Sequence, residues 1–259
     1  MLVALSTAGC GGDKMRVAAG SADPDKVLYE RGMEALQQQK WITAREYLRQ
    51  IVEGYPQSAV RADAKLGLGD TYLGERTTAS YILGINEFRE FLTFYPTHPR
   101  ADYAQYKLAM GHFRQMAKAE RDQTETKAAI AEFEVFFERY PNSSLAPEAR
   151  QRYREARDRL SQSEYRVGLF YFRAEWYPGA IDRFQTLLKS DPEFTNRDLV
   201  YFHLGESLVK VNRPAEALPW FERLVKEFER SEYLEEATKR VAELRASQSV
   251  SKPASPPGA

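Results

Sequence analysis

The feature that most constrains the fold of this chain is a helix-ending dipeptide that recurs along it. Tyr55-Pro56, Tyr95-Pro96 and Tyr140-Pro141 carry it, and Asp191-Pro192 stands in the matching place later in the chain. Proline lacks a backbone N–H and keeps the residue before it out of the helical conformation, so each dipeptide predicts the end of a helix. The chain is therefore predicted to be a series of helices with regular stops.

Each predicted helix before such a stop carries a trio of small or apolar residues at spacings of four and three. This spacing places the trio on one helical face, and the small first residue lets a neighbouring helix approach closely. A further trio occurs without a following proline. The trios are Ala44, Leu48 and Ile51; Gly84, Phe88 and Phe91; Ala129, Phe133 and Phe136; Ala180, Phe184 and Leu187; and Ala217, Phe221 and Leu224.

A second pattern lies upstream of each trio, where a small residue follows an aliphatic one. It comprises Leu68-Gly69, Leu108-Ala109, Val167-Gly168 and Leu204-Gly205, with Gly32 as a weaker first copy. Together the two patterns resemble the tetratricopeptide repeat, a helix-turn-helix unit of about 34 residues. The resemblance covers five copies over residues 24–229. It implies a stack of helix pairs that buries a continuous core and curves into a superhelix with a concave surface.

We predict an all-α fold, a superhelical solenoid of five tetratricopeptide-like helix pairs with a C-terminal capping helix. Ala, Glu, Arg, Leu and Gln are abundant while Val, Ile and Thr are sparse, a composition that favours helix over sheet. No helix breaker occurs between Pro147 and Pro178 except Gly168, a packing position, which predicts one long helix over residues 144–174 between the third and fourth repeats. The predicted helices are 24–39, 41–54, 59–74, 80–94, 99–117, 126–139, 144–174, 177–189, 196–211, 214–228 and 231–246.

Four parts of the chain are distinguished on the same grounds. Residues 1–23 are predicted to be a lipoprotein signal remnant and flexible tether, and residues 24–143 form repeats 1–3. Residues 144–246 form repeats 4 and 5 with the capping helix. The 247–259 segment, rich in Pro and Ser, is predicted to be a disordered tail because it lacks apolar bulk.

Charge and side-chain chemistry exclude several function classes. The 37 basic residues balance the 37 acidic ones, without the clustered basic face of a nucleic-acid-binding protein. His98, His112 and His203 lack the spacing of a helical metal pair, and neither a Walker lysine nor a Gly-x-Ser-x-Gly elbow occurs. His112 and His203 are assigned a structural role because they occupy or adjoin packing positions of the repeat. We therefore predict no metal site, no cofactor, no nucleic-acid partner and no enzyme activity.

The single cysteine, Cys10, follows an uncharged apolar run that ends in the small residues Ala8 and Gly9. This arrangement resembles a bacterial lipoprotein signal. The resemblance implies cleavage before Cys10 and a covalent lipid on its sulfur, which would anchor the chain to a membrane because each buried CH₂ contributes about 0.8 kcal/mol. Gly11 in the following position implies transfer to the outer membrane. The alternative is that Cys10 is an ordinary residue in a frayed terminus.

The concave face of a repeat stack is the expected binding surface. Nine of the ten groove positions mapped onto the first three repeats are apolar or aromatic, and only Asp70 is charged. Aromatic and methionine side chains suit an extended peptide with an apolar end. The alternative is that individual members are buried between the turns of the superhelix. Besides Leu73, the predicted peptide-binding groove contains Tyr29, Met33, Leu36, Leu66, Tyr103, Tyr106, Met110 and Phe113.

Repeats 4 and 5 carry a more mixed set of side chains at the corresponding positions. These residues are predicted to dock a scaffold partner rather than the peptide. The predicted scaffold-docking residues are Tyr165, Arg173, Phe202 and Lys210.

The lipoprotein-like cysteine, the five repeats and the long central helix together resemble the BamD family, also called YfiO or ComL. Short sequences within the repeats add to the resemblance. They are residues 44–48 (Ala-Arg-Glu-Tyr-Leu), 87–92 (Glu-Phe-Arg-Glu-Phe-Leu) and 140–143 (Tyr-Pro-Asn-Ser). The resemblance implies a lipid-anchored subunit of the outer-membrane β-barrel assembly machinery on the periplasmic face. It implies that the N-terminal repeats receive the C-termini of unfolded outer-membrane proteins. The C-terminal repeats would dock the BamA periplasmic domains, alongside other assembly lipoproteins.

Two other functions fit parts of the sequence. The Tol-Pal-associated family called CpoB or YbgF has similar Tyr-Pro-x-Ser punctuation and acts as a cell-envelope scaffold, but it carries an N-terminal coiled coil that this sequence lacks. A lipoprotein peptidoglycan hydrolase is the third alternative, and the sequence offers no catalytic constellation for it.

Overall fold

The computed structural model describes residues 23–250, with side chains up to residue 247. This part of the chain folds into eleven α-helices joined by short turns, which confirms the predicted all-α class. The helices are α1 (Pro24–Gln37), α2 (Trp41–Gly54), α3 (Arg61–Glu75), α4 (Thr78–Phe94), α5 (Ala101–Phe113), α6 (Thr124–Arg139), α7 (Ala146–Arg173), α8 (Tyr177–Ser190), α9 (Arg197–Lys210), α10 (Pro214–Glu227) and α11 (Leu234–Val250).

The helices form two compact units. Unit 1 comprises the described residues up to Gln115 together with Ala131–Ala146, and unit 2 comprises Met116–Ile130 and the residues from Pro147 onward. Consecutive helices pack as antiparallel pairs in the order of the repeats. The long helix α7 has 28 residues, as the lack of a breaker predicts.

Small residues in the first helix of each repeat face large residues in the second. A Cβ added at Gly69 would lie 2.7 Å from Cζ of Phe88, and one at Gly205 would lie 2.6 Å from Cζ of Phe221. Gly168 meets the ring of Phe184 in the same way. The three phenylalanines are fully buried. The predicted close approach of the paired helices at these glycines is therefore confirmed.

Replacing Gly205 by leucine should lower the free energy of unfolding by about 1–3 kcal/mol or more, because the core has no room for the side chain. The matched control is Gly54→Leu, since a Cβ at Gly54 would meet nothing within 4 Å. Thermal unfolding of the two variants and the wild type measures the difference. Equal melting temperatures for the two variants would contradict the assignment of Gly205 to a helix contact.

Four turns between paired helices use a non-glycine residue in the left-handed conformation. Gln39 has φ 57°, Arg76 φ 60°, Glu175 φ 58° and Asn212 φ 58°. In the first of these turns the N–H of Lys40 donates to the carbonyl of Ala35 at 2.9 Å, so the last carbonyls of α1 are satisfied by the chain itself. The turns bring the second helix of each pair back along the first.

A serine after the second helix closes three of the repeats. Ser143 donates to Oδ2 of Asp102 at 2.6 Å, and Ser231 donates to Oδ2 of Asp198 at 2.6 Å. Ser58 makes the same bond to Asp25. The serine is the last residue of the Tyr-Pro-x-Ser punctuation in the first and third repeats, and its partner lies in the first turn of the repeat's first helix. The motif therefore ties the two ends of one repeat together.

Candidate functional site

A cavity of about 560 Å³ opens in unit 1, where α1, α3 and α5 end. We call it the unit 1 cavity. Its volume falls in the range of small-molecule and peptide-side-chain pockets, roughly 300–1,000 Å³. Apolar side chains from three elements form part of its wall, and a larger number of polar side chains form the rest. The wall includes Leu36, Gln37, Gln39, Trp41, Asp70, Leu73, Arg76, Tyr103, Lys107 and Arg114.

Trp41 forms part of the apolar wall, and its indole lies against the end of α3. A Cβ at Gly74 would lie 2.7 Å from Cη2 of Trp41, so only glycine leaves room for the indole there. Leu36 is half-buried at the end of α1, whereas the side chain of Leu73 is buried in the core of α3 and α4. Leu36 and Trp41 can therefore cover one apolar group of a ligand.

Asp70, Tyr103 and Lys107 form a polar cluster in the wall of the same cavity. The hydroxyl of Tyr103 donates to Oδ2 of Asp70 at 2.7 Å, and Nζ of Lys107 lies 2.8 Å from Oδ1. Burial and the negative charge of Asp70 raise the pKa of Tyr103, so its hydroxyl stays protonated and keeps donating. The carboxylate of Asp70 is thus matched within the protein.

The ring of Tyr103 is also engaged by cations. The guanidinium of Arg100 lies 4.6 Å from the ring centroid, and Nζ of Lys107 lies 5.1 Å from it. Both distances are within the range of a cation–π interaction. The predicted groove residue Tyr103 therefore lies in the cavity wall, where it positions two cations in addition to any contact with a ligand.

Three other predicted groove residues lie in the core. Leu66, Tyr106 and Met110 have 0%, 6% and 8% of their surface exposed. The ring of Tyr106 packs 6.4 Å from Phe133 and 6.3 Å from Phe136, centroid to centroid. The reason is that helix α5 is buried on most of its circumference, so its apolar residues serve helix packing on more than one side.

The remaining predicted groove residues are partly buried. Tyr29 and Met33 pack, with Leu36, against the core that contains Leu28 and Leu48. Phe113 is also partly buried, and its ring centroid lies 6.4 Å from that of Phe133. Of the eight, Leu36 and Tyr103 are the members that line the unit 1 cavity.

The predicted scaffold-docking residues of unit 2 divide in the same manner. Arg173 and Lys210 are exposed, and Phe202 is half-buried and stacks on Tyr233 with centroids 4.2 Å apart. Tyr165 is 5% exposed and belongs to the core.

The neighbouring His203 is buried too, and its Nδ1 bonds the carbonyl of Leu199 at 2.8 Å. Burial lowers the pKa of His203, which agrees with its predicted structural role.

Unit 2 also exposes large apolar side chains that are not among the predicted scaffold-docking residues. Phe170 is 67% exposed, Trp176 is 56% exposed and Val167 is 38% exposed, around the end of helix α7 that carries Arg173. Tyr171 contacts both aromatic rings, at centroid distances of 5.7 Å to Phe170 and 4.9 Å to Trp176. We call Val167, Phe170, Arg173 and Trp176 the α7 surface.

The described residues hold no further chemistry of the kinds excluded above. Within residues 23–250, no group of His, Cys, Asp and Glu side chains is placed to bind a metal ion. No helix in this described range is both long and apolar enough to cross a bilayer. Cys10 and most of the 247–259 segment lie outside the described residues, so the lipid anchor and the tail stay predictions.

Similar proteins agree on one family. Residues 21–202 match the family described as "YfiO: Outer membrane lipoprotein". The outer membrane protein assembly factor BamD of Caulobacter vibrioides is 29% identical over 84% of this chain and 70% of its own length. The protein of the same name from Vibrio cholerae is 31% identical over 66% of this chain and 73% of its own length.

A solved structure shows the fold in addition. The TPR2AB domain of yeast Sti1, solved as a complex with pHSP90, superposes with a TM-score of 0.50 over 86% of this chain and 84% of that chain, at 11% identity. It supports the tetratricopeptide-like architecture alone. Because the family match covers well over half of the sequence, the chain belongs to the BamD (YfiO) family of outer membrane lipoproteins, which are assembly factors and not enzymes.

Proposed function

We propose that this member of a family of outer-membrane-protein assembly factors receives the extended C-termini of unfolded outer-membrane proteins in the unit 1 cavity. The observation that carries the proposal is the composition of that cavity. Leu36 and Trp41 offer an apolar wall at its edge, and the polar groups around them can bind a peptide backbone. Family membership supports this reading over the Tol-Pal and hydrolase alternatives.

The size of the apolar wall sets the expected strength of binding. Burying one terminal aromatic side chain contributes roughly 1.5–3 kcal/mol. Ordering an extended peptide costs several kcal/mol against it. A single C-terminus should therefore bind weakly and exchange quickly, as suits a subunit that passes substrates on.

We propose further that the α7 surface of unit 2 docks a scaffold subunit, such as the BamA periplasmic domains, with other assembly lipoproteins as neighbours. Trp and Arg are the residue types that dominate the energetics of protein interfaces. Arg173 and Trp176 bring these two types together at exposed positions, and Phe170 adds an exposed aromatic ring beside them. Of the docking residues predicted from the sequence, Arg173 belongs to the α7 surface. Phe170 and Trp176 are new members of the proposed docking site, and Phe202 and Lys210 remain candidates for a second contact.

Photo-crosslinking in envelope membranes tests both assignments. A crosslinking residue in place of Gln37, which is exposed in the cavity wall, should capture outer-membrane-protein precursors. One in place of Phe170 should capture a scaffold subunit of the assembly complex. The matched control is Phe94, which is as exposed as Phe170 but belongs to unit 1. If the residue at position 37 captures only Tol-Pal components, the result would contradict the barrel-assembly function and support the Tol-Pal scaffold function.

The lipid anchor has its own test. Cells given a radioactive fatty acid should label the wild-type chain and leave Cys10→Ala unlabelled, because the thioether forms on the cysteine sulfur. The variant should also leave the membrane fraction, since the anchor is the predicted means of attachment. Label on both chains, or on neither, would show that Cys10 is not the modified residue.

A further inference from the structure

We propose that Arg76 and Arg114 bind the free α-carboxylate of the peptide, so that the unit 1 cavity distinguishes a true chain terminus from an internal segment. The inference rests on the proposed function and names the chemical group that the cavity reads. Without this contact, any extended apolar segment would serve as a ligand.

The charges of the cavity wall are unequal. Arg76, Lys107 and Arg114 are cationic, and Asp70 is the one carboxylate among the described wall residues. Lys107 and Tyr103 already match Asp70, as described above. Within residues 23–250, neither Arg76 nor Arg114 has a carboxylate partner. The cavity therefore keeps two guanidinium groups that an incoming anion can neutralise.

The guanidinium of Arg114 is held at the cavity, where it can bind an anion. Its Nη1 donates to the carbonyl of Leu73 at 3.2 Å. That carbonyl lies in the last turn of α3, where helix ends carry partial negative charge that would repel an anion. The bond offsets this charge and holds the guanidinium at the cavity. A guanidinium has five N–H donors, so most of them remain available.

Arg76 approaches from the adjoining turn. It follows the last residue of α3 and holds the left-handed conformation, with φ 60°. Two arginines can bind one carboxylate through planar, charge-assisted hydrogen bonds, which a lysine cannot reproduce. Leu36 and Trp41 share the wall with them, so the terminal side chain next to the carboxylate has an apolar surface to cover.

The test compares one short synthetic peptide in two forms, as the free acid and as the C-terminal amide. The peptide alternates apolar and polar residues and ends in phenylalanine. Binding to the full chain is measured by fluorescence anisotropy for the wild type and for Arg76→Gln/Arg114→Gln. Arg89→Gln is the matched control, because Arg89 is exposed on α4 and is not a wall residue. Trp41→Ala reports on the apolar wall.

The wild type should bind the acid about tenfold more tightly than the amide, a difference that corresponds to about 1.4 kcal/mol. This preference should weaken with added salt and vanish in Arg76→Gln/Arg114→Gln, while Arg89→Gln retains it. Equal binding of acid and amide, both weakened by Trp41→Ala, would overturn the carboxylate contact and leave the proposed function standing. No binding of either form to the wild type would overturn both.

Discussion

Replacing Asp191 by alanine should lower the free energy of unfolding by about 3 kcal/mol, because it removes a buried carboxylate that pairs with the half-buried Arg154. Asp191 is 3% exposed in the turn after α8. Nη1 of Arg154 donates to its Oδ1 at 2.9 Å, and Nη2 of Arg154 and the hydroxyl of Ser161 bond its Oδ2. Nη2 of Arg157 lies 3.8 Å from Oδ1 of Asp191. The carboxylate thus fastens the turn after α8 to the long helix α7.

Urea denaturation at neutral pH measures the loss. Asp182→Ala is the matched control, because Asp182 is exposed on the same helix, and it should change the free energy of unfolding by less than about 0.5 kcal/mol. Equal effects of the two substitutions would show that Asp158, which lies 3.0 Å from Nη2 of Arg154, is a sufficient partner when Asp191 is absent.

The same group predicts an acid limit to stability. Hydrogen bonds from Arg154 and Ser161 and the charge of Arg154 outweigh burial, and they lower the pKa of Asp191 below its ordinary value. A carboxylate whose pKa falls on folding stabilises the folded state above its unfolded pKa of about 3.9, and this stabilisation is lost as the pH drops through the lower, folded pKa. Urea midpoints measured from neutral pH down to acid should fall less steeply for Asp191→Ala than for the wild type. Parallel curves would contradict the assignment.

Replacing Phe184 by alanine should cost about 3–5 kcal/mol, the largest single-residue effect we expect in unit 2. Phe184 is fully buried. Its ring lies 5.9 Å from Tyr165 and 6.2 Å from His203, centroid to centroid, and it fills the space that Gly168 leaves open. The substitution therefore creates a cavity where three helices meet.

Phe170→Ala is the control for this substitution, since Phe170 is a phenylalanine that is 67% exposed in the same unit. It should leave the free energy of unfolding within about 0.5 kcal/mol of the wild type. Urea denaturation of both variants decides the matter. A loss for Phe184→Ala no larger than that for Phe170→Ala would refute the packing described for the fourth repeat.

The helices could be predicted from the sequence because their signals are local. Proline stops fixed the ends of α2, α4 and α6, and the absence of a breaker gave the extent of α7 to within two residues, as Ala146–Arg173 against 144–174. The close helix contacts at the repeat glycines were equally accessible, since the repeat register places a small residue where a neighbouring helix approaches.

The composition of the site could be predicted only in part. The repeat register identifies the helix face of Tyr106 and Met110 but cannot distinguish a groove from a core when α5 is apolar on several sides. The cations Arg76 and Arg114 lie where their helices end, outside the groove positions that the register supplies. The partners of Asp191 are 30 and 37 residues away, and only the packing of α7 brings them near.

The left-handed turns at Gln39 and Arg76 link the stability of the fold to the side chains of the cavity wall. For an L-residue other than glycine, the left-handed conformation costs roughly 1–2 kcal/mol. Glycine would remove that cost at Gln39 and Arg76, yet both positions carry long polar side chains, and both side chains line the unit 1 cavity. Glycine at positions 39 and 76 would therefore stabilise the fold while removing two polar side chains from the wall of the unit 1 cavity.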